Sequence, residues 1–374
     1  MMNHLTWNDA ISRIRVRVEN TASSGHQGFP HFADPQTRDW TWSSDGDWTG
    51  GYFNALLWLG AYAGPASDRE KWLEWARRFS ERLRPRLASD SSSRALLFYY
   101  GTALGSVLGG DRAARDLALE AAHALAAMYN PRAGVLPLGR AFEEVSNVGA
   151  TEAEIDMVQA VALLMWAGRE SRDDKFRTIA INHARRHVEF CLRPDGSICQ
   201  SASFNSATGA ILRRYTHKGI TDNSTWARAQ AWGMLGFALS AHWCEDLSFL
   251  EPAGKAADWW LAHVPADRVA YWDFDDPAIP GTNRDTSATA IAAASLLKLS
   301  ALTRDEVQRG RWRSAAEATV RALIEGHLGP EGGLWDGCFN KRIGVATQHE
   351  LIWGTYYLFE ALHVLAGRLD PVSI

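Results

Sequence analysis

Six times along 374 residues the chain repeats one pattern: a polar or glycine-containing lead-in, then a run of small and large apolar residues at helical spacing. The runs are Trp48–Tyr62, Ala95–Leu108, Ile155–Ala167, Trp226–Trp243, Asp285–Leu299 and Trp353–Ala366, with starts 47, 60, 71, 59 and 68 residues apart. None has a polar face, so each must be buried on most sides. Charge-rich amphipathic stretches alternate with them: Leu5–Glu19, Arg69–Leu87, Asp111–Tyr129, Asp173–Leu192, Asp246–His263 and Asp305–His327. Several open on an acid and carry Arg or His late, the polarity that a helix dipole favours. Six buried helices alternating with six surface helices predict an all-α fold, a closed (α/α)6 barrel, rather than an open solenoid. One such barrel accounts for residues 1–374 as a single domain. Strand signals are short, chiefly around Ser197–Phe204 and Val269–Phe274.

In this architecture the lead-ins to the inner helices gather at one rim as a funnel. They hold the chain's unusual polar and aromatic residues: Trp42, Asp47 and Trp48; Glu152, Glu154 and Asp156; His217, Trp226 and Arg228; Trp272, Asp273 and Asp285; His349, Glu350 and Trp353. Tryptophan is abundant, with 17 residues. Burial in a helical core accounts for Trp58, Trp72, Trp75, Trp166, Trp259 and Trp260. It accounts poorly for a Trp at the same rim of four repeats. Flat aromatic faces beside carboxylates and Arg suit the C–H faces and hydroxyls of sugars, so the funnel is read as a carbohydrate site with Trp42 and Trp48 among its platforms.

Several function classes are excluded or disfavoured. A net charge of −4 gives no reason to expect a nucleic-acid partner. The longest apolar runs are about eight residues, as in Ala160–Ala167, far below the ~20 needed to span a bilayer. Four cysteines without a CxxC pair argue against a zinc site or a disulfide framework. Met1–His4 shows no basic or apolar leader, and with free cysteines this predicts a cytoplasmic location. No metal or organic cofactor is expected.

The stretch THKGITDNSTWARAQAWGMLG (Thr216–Gly236) followed by VAYWDFDDPAIPGTNRDTSATAIAA (Val269–Ala293) resembles the unsaturated glucuronyl hydrolases of glycosyl hydrolase family 88. The Asp45–Gly51 run and Ile352-Trp353-Gly354 are similar to that family too. The resemblance implies an (α/α)6 barrel acting on lyase-generated acidic oligosaccharides whose non-reducing sugar is a 4,5-unsaturated uronic acid. It implies hydration of a vinyl ether: a carboxylic acid protonates C4, water adds at C5, and the hemiketal collapses to release the next sugar. Asp156 matches the family's catalytic Asp, and burial against an apolar run would keep its carboxyl protonated. Glu152 and Glu154, further outside the helix, suit the mundane role of first-turn acids. His217, Trp226, Arg228, Gln230 and Trp232 match positions lining the sugar subsite. Residues two apart do not share a helix face, so part of this block must be buttress; Trp226 and Arg228, nearest the helix start, are the candidates for ligand contact.

Three departures stand out. Aligning on Phe98-Tyr99-Tyr100-Gly101 puts Ser92 and Ser93 where the family has a His-Asp pair, leaving Asp90, three residues upstream, as the candidate second carboxylate. A family histidine is replaced by Gln200, and the Gln following the subsite His by Lys218. The pocket therefore gains positive charge and is expected to prefer a more anionic sugar. Other readings are a hydrolase of saturated sugars, needing two carboxylates with Asp90 or Glu350 as the second; an epimerase pairing His217 with His349; and a binder without turnover.

Overall fold

The computed structural model describes residues 5–141 and 149–374; Met1–His4, from which the absence of a leader was read, lie outside them. Twelve expected helices are found as two concentric rings. The outer ring is α1 (Trp7–Ser23), α3 (Arg69–Arg82), α6 (Arg112–Ala126), α8 (Asp174–Cys191), α10 (Leu250–His263) and α12 (Glu306–Gly326). The inner ring begins with α2 (Gly50–Ala63), continues through a composite second helix (α4, Arg94–Phe98; a π-helical stretch, Tyr99–Ala103; α5, Leu104–Gly109), and ends with α7 (Ala160–Ser171), α9 (Ala227–Trp243), α11 (Thr286–Leu302) and α13 (Ile352–Leu365). Helix α13 packs on α2 and closes the ring.

Residue choice explains the sorting. In α3 only Trp72, Leu73, Ala76, Phe79 and Ser80 are buried, a single stripe, whereas in α11 every residue from Thr286 to Ser300 is buried. The alanines of α11 let its backbone approach α9 and α13 closely. The Asp residues that open the charged stretches are N-caps: Asp111, Asp173 and Asp305 accept from backbone N–H groups one turn ahead, and Asp285 does so for α11.

The second inner helix departs from regular winding at Tyr99–Ala103. There the carbonyl of Gly101 accepts from Asn54 Nδ2, from Trp58 Nε1 at 2.9 Å and from Ser80 Oγ at 2.9 Å, tying the helix to α2 and α3. The third inner helix also starts irregularly, with one 3₁₀ stretch, Ile155–Gln159, carrying Asp156 ahead of α7.

Two small antiparallel sheets sit among the rim loops. In one, β1 (Phe29–Ala33) pairs with β2 (Trp40–Ser43) and with β6 (Glu350–Leu351), joining the first and sixth repeats. In the other, β3 (Glu152–Glu154) pairs with β4 (Ser201–Phe204), which pairs with β5 (Ile211–Tyr215). Only β4 falls where a strand was expected. Val269–Phe274 forms isolated bridges, Tyr271 with Arg284 and Asp273 with Trp226. Strands of two to five residues paired across distant sequence carry too little alternation to be read locally.

Candidate active site

Asp156 lies at the inner end of the funnel, 6% exposed, with its Oδ1 lacking any hydrogen bond among the described residues. Burial raises its carboxyl to about 6, against the opposing pull of the Arg228 guanidinium. That is a carboxyl poised to give and retake a proton near neutrality. Glu154, two residues earlier at the end of β3, is also buried and makes no cap hydrogen bond, so it is not the first-turn acid its sequence position suggested.

The walls are aromatic. Trp48 and Trp353 stand 4.7 Å apart between centroids, and Phe339 packs on both, at 6.5 and 5.6 Å. His31 of β1 closes this group with its ring 5.4 Å from Phe339, its Nε2 without a hydrogen bond among the described residues. Burial, reinforced by Lys218, lowers His31 to about 4, so it stands neutral at physiological pH. Asp47, held at φ +50 with its carboxylate 3.9 Å from His31 Nδ1, is raised by burial. Below, the Tyr100 and Tyr357 hydroxyls lie 2.7 Å apart and 2.8 and 3.0 Å from Gln159 Oε1, a triangle in which two hydroxyl protons serve three oxygens.

Lys218 is buried, its Nζ 4.9 Å from the Phe339 ring and 5.4 Å from Trp226. Burial and the neighbouring Arg228 drive its pKa well down, with Asp47 opposing. Arg228 stacks over Trp226 at 4.3 Å and donates to Asp285, to the Cys338 carbonyl at 2.7 Å and to the Phe339 carbonyl at 2.6 Å. These donations, and a fourth to Ser287 Oγ at 3.5 Å, all go to protein groups, so its hydrogen bonding builds the wall. Trp226 is 1% exposed and Trp232 fully buried against Tyr52 and Tyr357. Gln230 is bound to the carbonyls of Gly196 and Ala256, on the outer side of the same helix. Gln200 and His217 stay together: Gln200 Oε1 accepts from the Lys218 backbone at 2.9 Å, and its Nε2 lies 3.2 Å from His217 Nε2. His217 also meets Ser201 at 3.1 Å, and burial lowers it to about 4.

Two sequence candidates are not brought into this group. Trp42 stacks on His26 at 3.9 Å on the edge strand β2 and shares no ring contact with Trp48 or Trp353. Asp90 is half exposed, 3.5 Å from Arg140, and borders a shallow cavity with Ala124, Ala127 and Met128 at the end of outer helix α6. The turn after it, pinned by the Ser92 N–H on the Leu138 carbonyl, points the Asp90 side chain outward. Ser93 is buried and receives Arg86 at 3.2 Å; it makes no side-chain cap. Glu350 is fully buried and paired with Arg17 at 2.8 Å, and His349 faces Asp34 at 4.0 Å rather than His217. Sequence reasoning passed over His31 and Phe339. Phe339 follows a Gly-Cys pair in a loop with no period, and His31 sits on an unforeseen strand.

No protein-family model matches the chain. Curated relatives do. It is 34% identical to the unsaturated glucuronyl hydrolase of Bacillus sp. (strain GL1), over 95% of this chain and 96% of the relative. It is 29% identical to the unsaturated chondroitin disaccharide hydrolase of Streptococcus agalactiae serotype III, over 84% and 80%. Among solved structures, the Bacillus sp. GL1 enzyme superposes with a TM-score of 0.89 at 32% identity, covering 96% of this chain and 97% of that one. An unsaturated glucuronyl hydrolase specific for heparin gives 0.88 at 25% identity, covering 97% and 98%. With that identity over nearly its full length, and with the double helical ring and buried acid in place, the chain belongs to the unsaturated glucuronyl hydrolases, glycoside hydrolases that remove an unsaturated uronic acid from oligosaccharides.

Proposed function

We propose that Asp156 is the general acid and base of this hydrolase. The observation that carries the reading is a buried carboxyl with an unbonded oxygen, held near neutrality at the start of the third inner helix. The Asp156 carboxyl gives its proton to C4 of the unsaturated sugar, and the C4–C5 π electrons form the new C–H bond. The positive charge left on C5 and the ring oxygen is met by water, whose oxygen bonds C5 while its proton returns to Asp156. One water has then added across the double bond. The C5 hemiketal opens to a ketone, leaving C1 as a hemiacetal that expels the next sugar as its alcohol and becomes an aldehyde. One residue acts twice, so its pKa must lie near the working pH.

The substrate is an acidic oligosaccharide, and we assign it an anionic group beyond the uronic carboxylate. Lys218 supports this: it is a buried amine in an aromatic wall, where an incoming anion would favour its charged form against the burial that disfavours it. Relatives named for chondroitin disaccharides and for heparin make glycosaminoglycan fragments the first substrates to try. Phe339, partly exposed, would offer the sugar an apolar contact, with Trp48 and Trp353 packed behind it. A cytoplasmic location belongs to the same reading, supported by four cysteines that are all free and buried; fractionating the source cells tests it. No helix among the described residues is long and apolar enough to cross a membrane.

The test is loss of the unsaturated uronate absorbance on incubation with a panel of lyase-generated disaccharides, sulfated and unsulfated. Turnover by wild type and none by Asp156→Asn is the expected result. Turnover by both would remove Asp156 from the chemistry.

A further inference from the structure

Where the family resemblance places a second carboxylate, this chain has Ser93. A different carboxyl lies beside Asp156. Glu154 ends β3 in extended backbone, φ −122 and ψ 148, and Asp156 follows two residues on in the first turn of the 3₁₀ stretch, so both carboxyls sit at one strand-to-helix junction. Glu154 is 1% exposed, and neither of its carboxyl oxygens has a hydrogen bond among the described residues. Asp156 Oδ1 is in the same condition. Two neighbouring buried carboxyls with three unbonded oxygens between them strongly disfavour a doubly charged state.

Arg228 pulls Asp156 down, but the charges that act on Glu154 are both acids. Beside Glu154 stand Glu152 on its own strand, the Cys191 thiol of α8, and His217 beyond β5, with Nε2 3.4 Å from Glu154 Oε1. His187 of α8 bonds the Glu154 carbonyl at 3.0 Å, and burial lowers it to about 4. His217, also lowered by burial, is neutral at physiological pH. Asp156 is faced by Tyr52 of α2, by Cys191, and by Arg228 of α9, whose hydrogen bonds go to Asp285, Ser287 and two carbonyls. Burial first, then the charges of Asp156 and Glu152, push Glu154 well above the usual carboxyl range.

We propose that Glu154 and Asp156 share one proton across the neutral range, Glu154 storing it and Asp156 delivering it to the sugar. The inference rests on Asp156 being the acid. In each cycle the proton passes from the Glu154 carboxyl to an Asp156 oxygen, leaving the pair's charge unchanged. Asp156 then gives it to C4, and the proton released by the attacking water returns to the pair. Glu154 acts through Asp156 and is a positioning residue for the proton. The pair extends activity above the pH at which a lone Asp156 would be spent.

The test is the pH profile of kcat/KM for wild type and Glu154→Gln, which keeps the shape and removes the stored proton. Wild type should lose less than about threefold between pH 5.5 and 8, and Glu154→Gln at least about tenfold, the behaviour of an uncoupled acid. Superimposable alkaline limbs would overturn the pair. Infrared titration of the substrate-free protein covers the case in which Glu154→Gln fails to fold. Wild type should keep a buried protonated-carboxyl band at about pH 8, and in Asp156→Asn that band should vanish at lower pH, since the neighbouring charge is gone. Disappearance at the same pH in both proteins would overturn the pair as well. An active Asp156→Asn variant would instead remove the acid itself, so the two failures are distinguishable.

Discussion

Arg228 Nη1 donates to Asp285 Oδ2 at 2.5 Å, with both side chains out of contact with water. The other carboxylate oxygen of Asp285 caps α11, while Arg228 extends from α9 and holds the carbonyls of Cys338 and Phe339. One ion pair therefore bolts two inner helices to the loop that carries the Phe339 ring.

Removing one partner leaves a buried charge alone. Arg228→Ala should lower stability by about 3–5 kcal/mol, read as a shift of the urea midpoint at unchanged slope. Arg228 also holds Asp156 down from the value burial alone would give. In any folded variant lacking the guanidinium, Asp156 should keep its proton to higher pH, and the alkaline limb of kcat/KM should move upward. A variant that melts like wild type would deny the pair its structural role.

Asp156→Asn should abolish turnover and leave the protein at least as stable at neutral pH. Asp156 is raised from 3.8 unfolded to about 6 folded, so between these values the folded state binds more protons. Stability therefore falls as pH climbs through that window, and above it the ionised carboxylate costs about 3 kcal/mol. An amide removes the cost. The check is thermal unfolding of both proteins at pH 4 and 7.5: the variant should gain on wild type at the higher pH. Retention of a tenth of wild-type kcat, a loss of only ~1.4 kcal/mol, would exclude the catalytic role.

Lys218→Gln should narrow the preference for disaccharides with an extra anionic group. In wild type, burial and the neighbouring Arg228 disfavour the amine's charged form. Binding an anion there should take up a proton, so affinity should fall as pH rises; the variant should lose that slope. Because Lys218 is buried, added salt should erode the preference little. Equal kcat/KM for sulfated and unsulfated substrates in both proteins would remove Lys218 from specificity.

The two candidates that lie apart from this group make a contrast with the wall residues. Trp42→Ala and Asp90→Asn should leave kcat and KM within about twofold of wild type, given their outward positions. Phe339→Ala should raise KM with little loss of stability, because its ring is only partly buried. Trp226→Ala empties a filled core site and should cost about 3–5 kcal/mol in stability. Steady-state kinetics beside melting curves separate the two behaviours.

The double ring was legible because its signal is periodic: apolar runs such as Asp285–Leu299 admit no polar face, and α11 is buried all round. Asp156 stood out because it heads an apolar run and matches the catalytic Asp of the family motif, and the structure places it buried there. Glu154 was misjudged as a helix-start acid because nothing local reveals that the chain is still a strand there, paired with Ser201 of β4. Asp90 was favoured by closeness in sequence to the missing carboxylate, yet the backbone turn after it sets its direction. Arg228 looked like a ligand contact, and its ties to Asp285 and residues 338–339 could not be read from α9 alone.

The wide turn at Tyr99–Ala103 amounts to one extra residue in an otherwise ordinary helix. Each residue rotates a helix by about 100°, so the insertion separates two registers. Within it adjacent tyrosines, 5.1 Å apart between rings, take different partners: Tyr100 hydrogen-bonds Tyr357 and Gln159, while Tyr99 packs edge-on against Trp243. Deleting a single residue from this stretch would leave a well-formed helix of the same composition with its faces misassigned. In this segment an in-frame deletion of one codon should be worse tolerated than most substitutions.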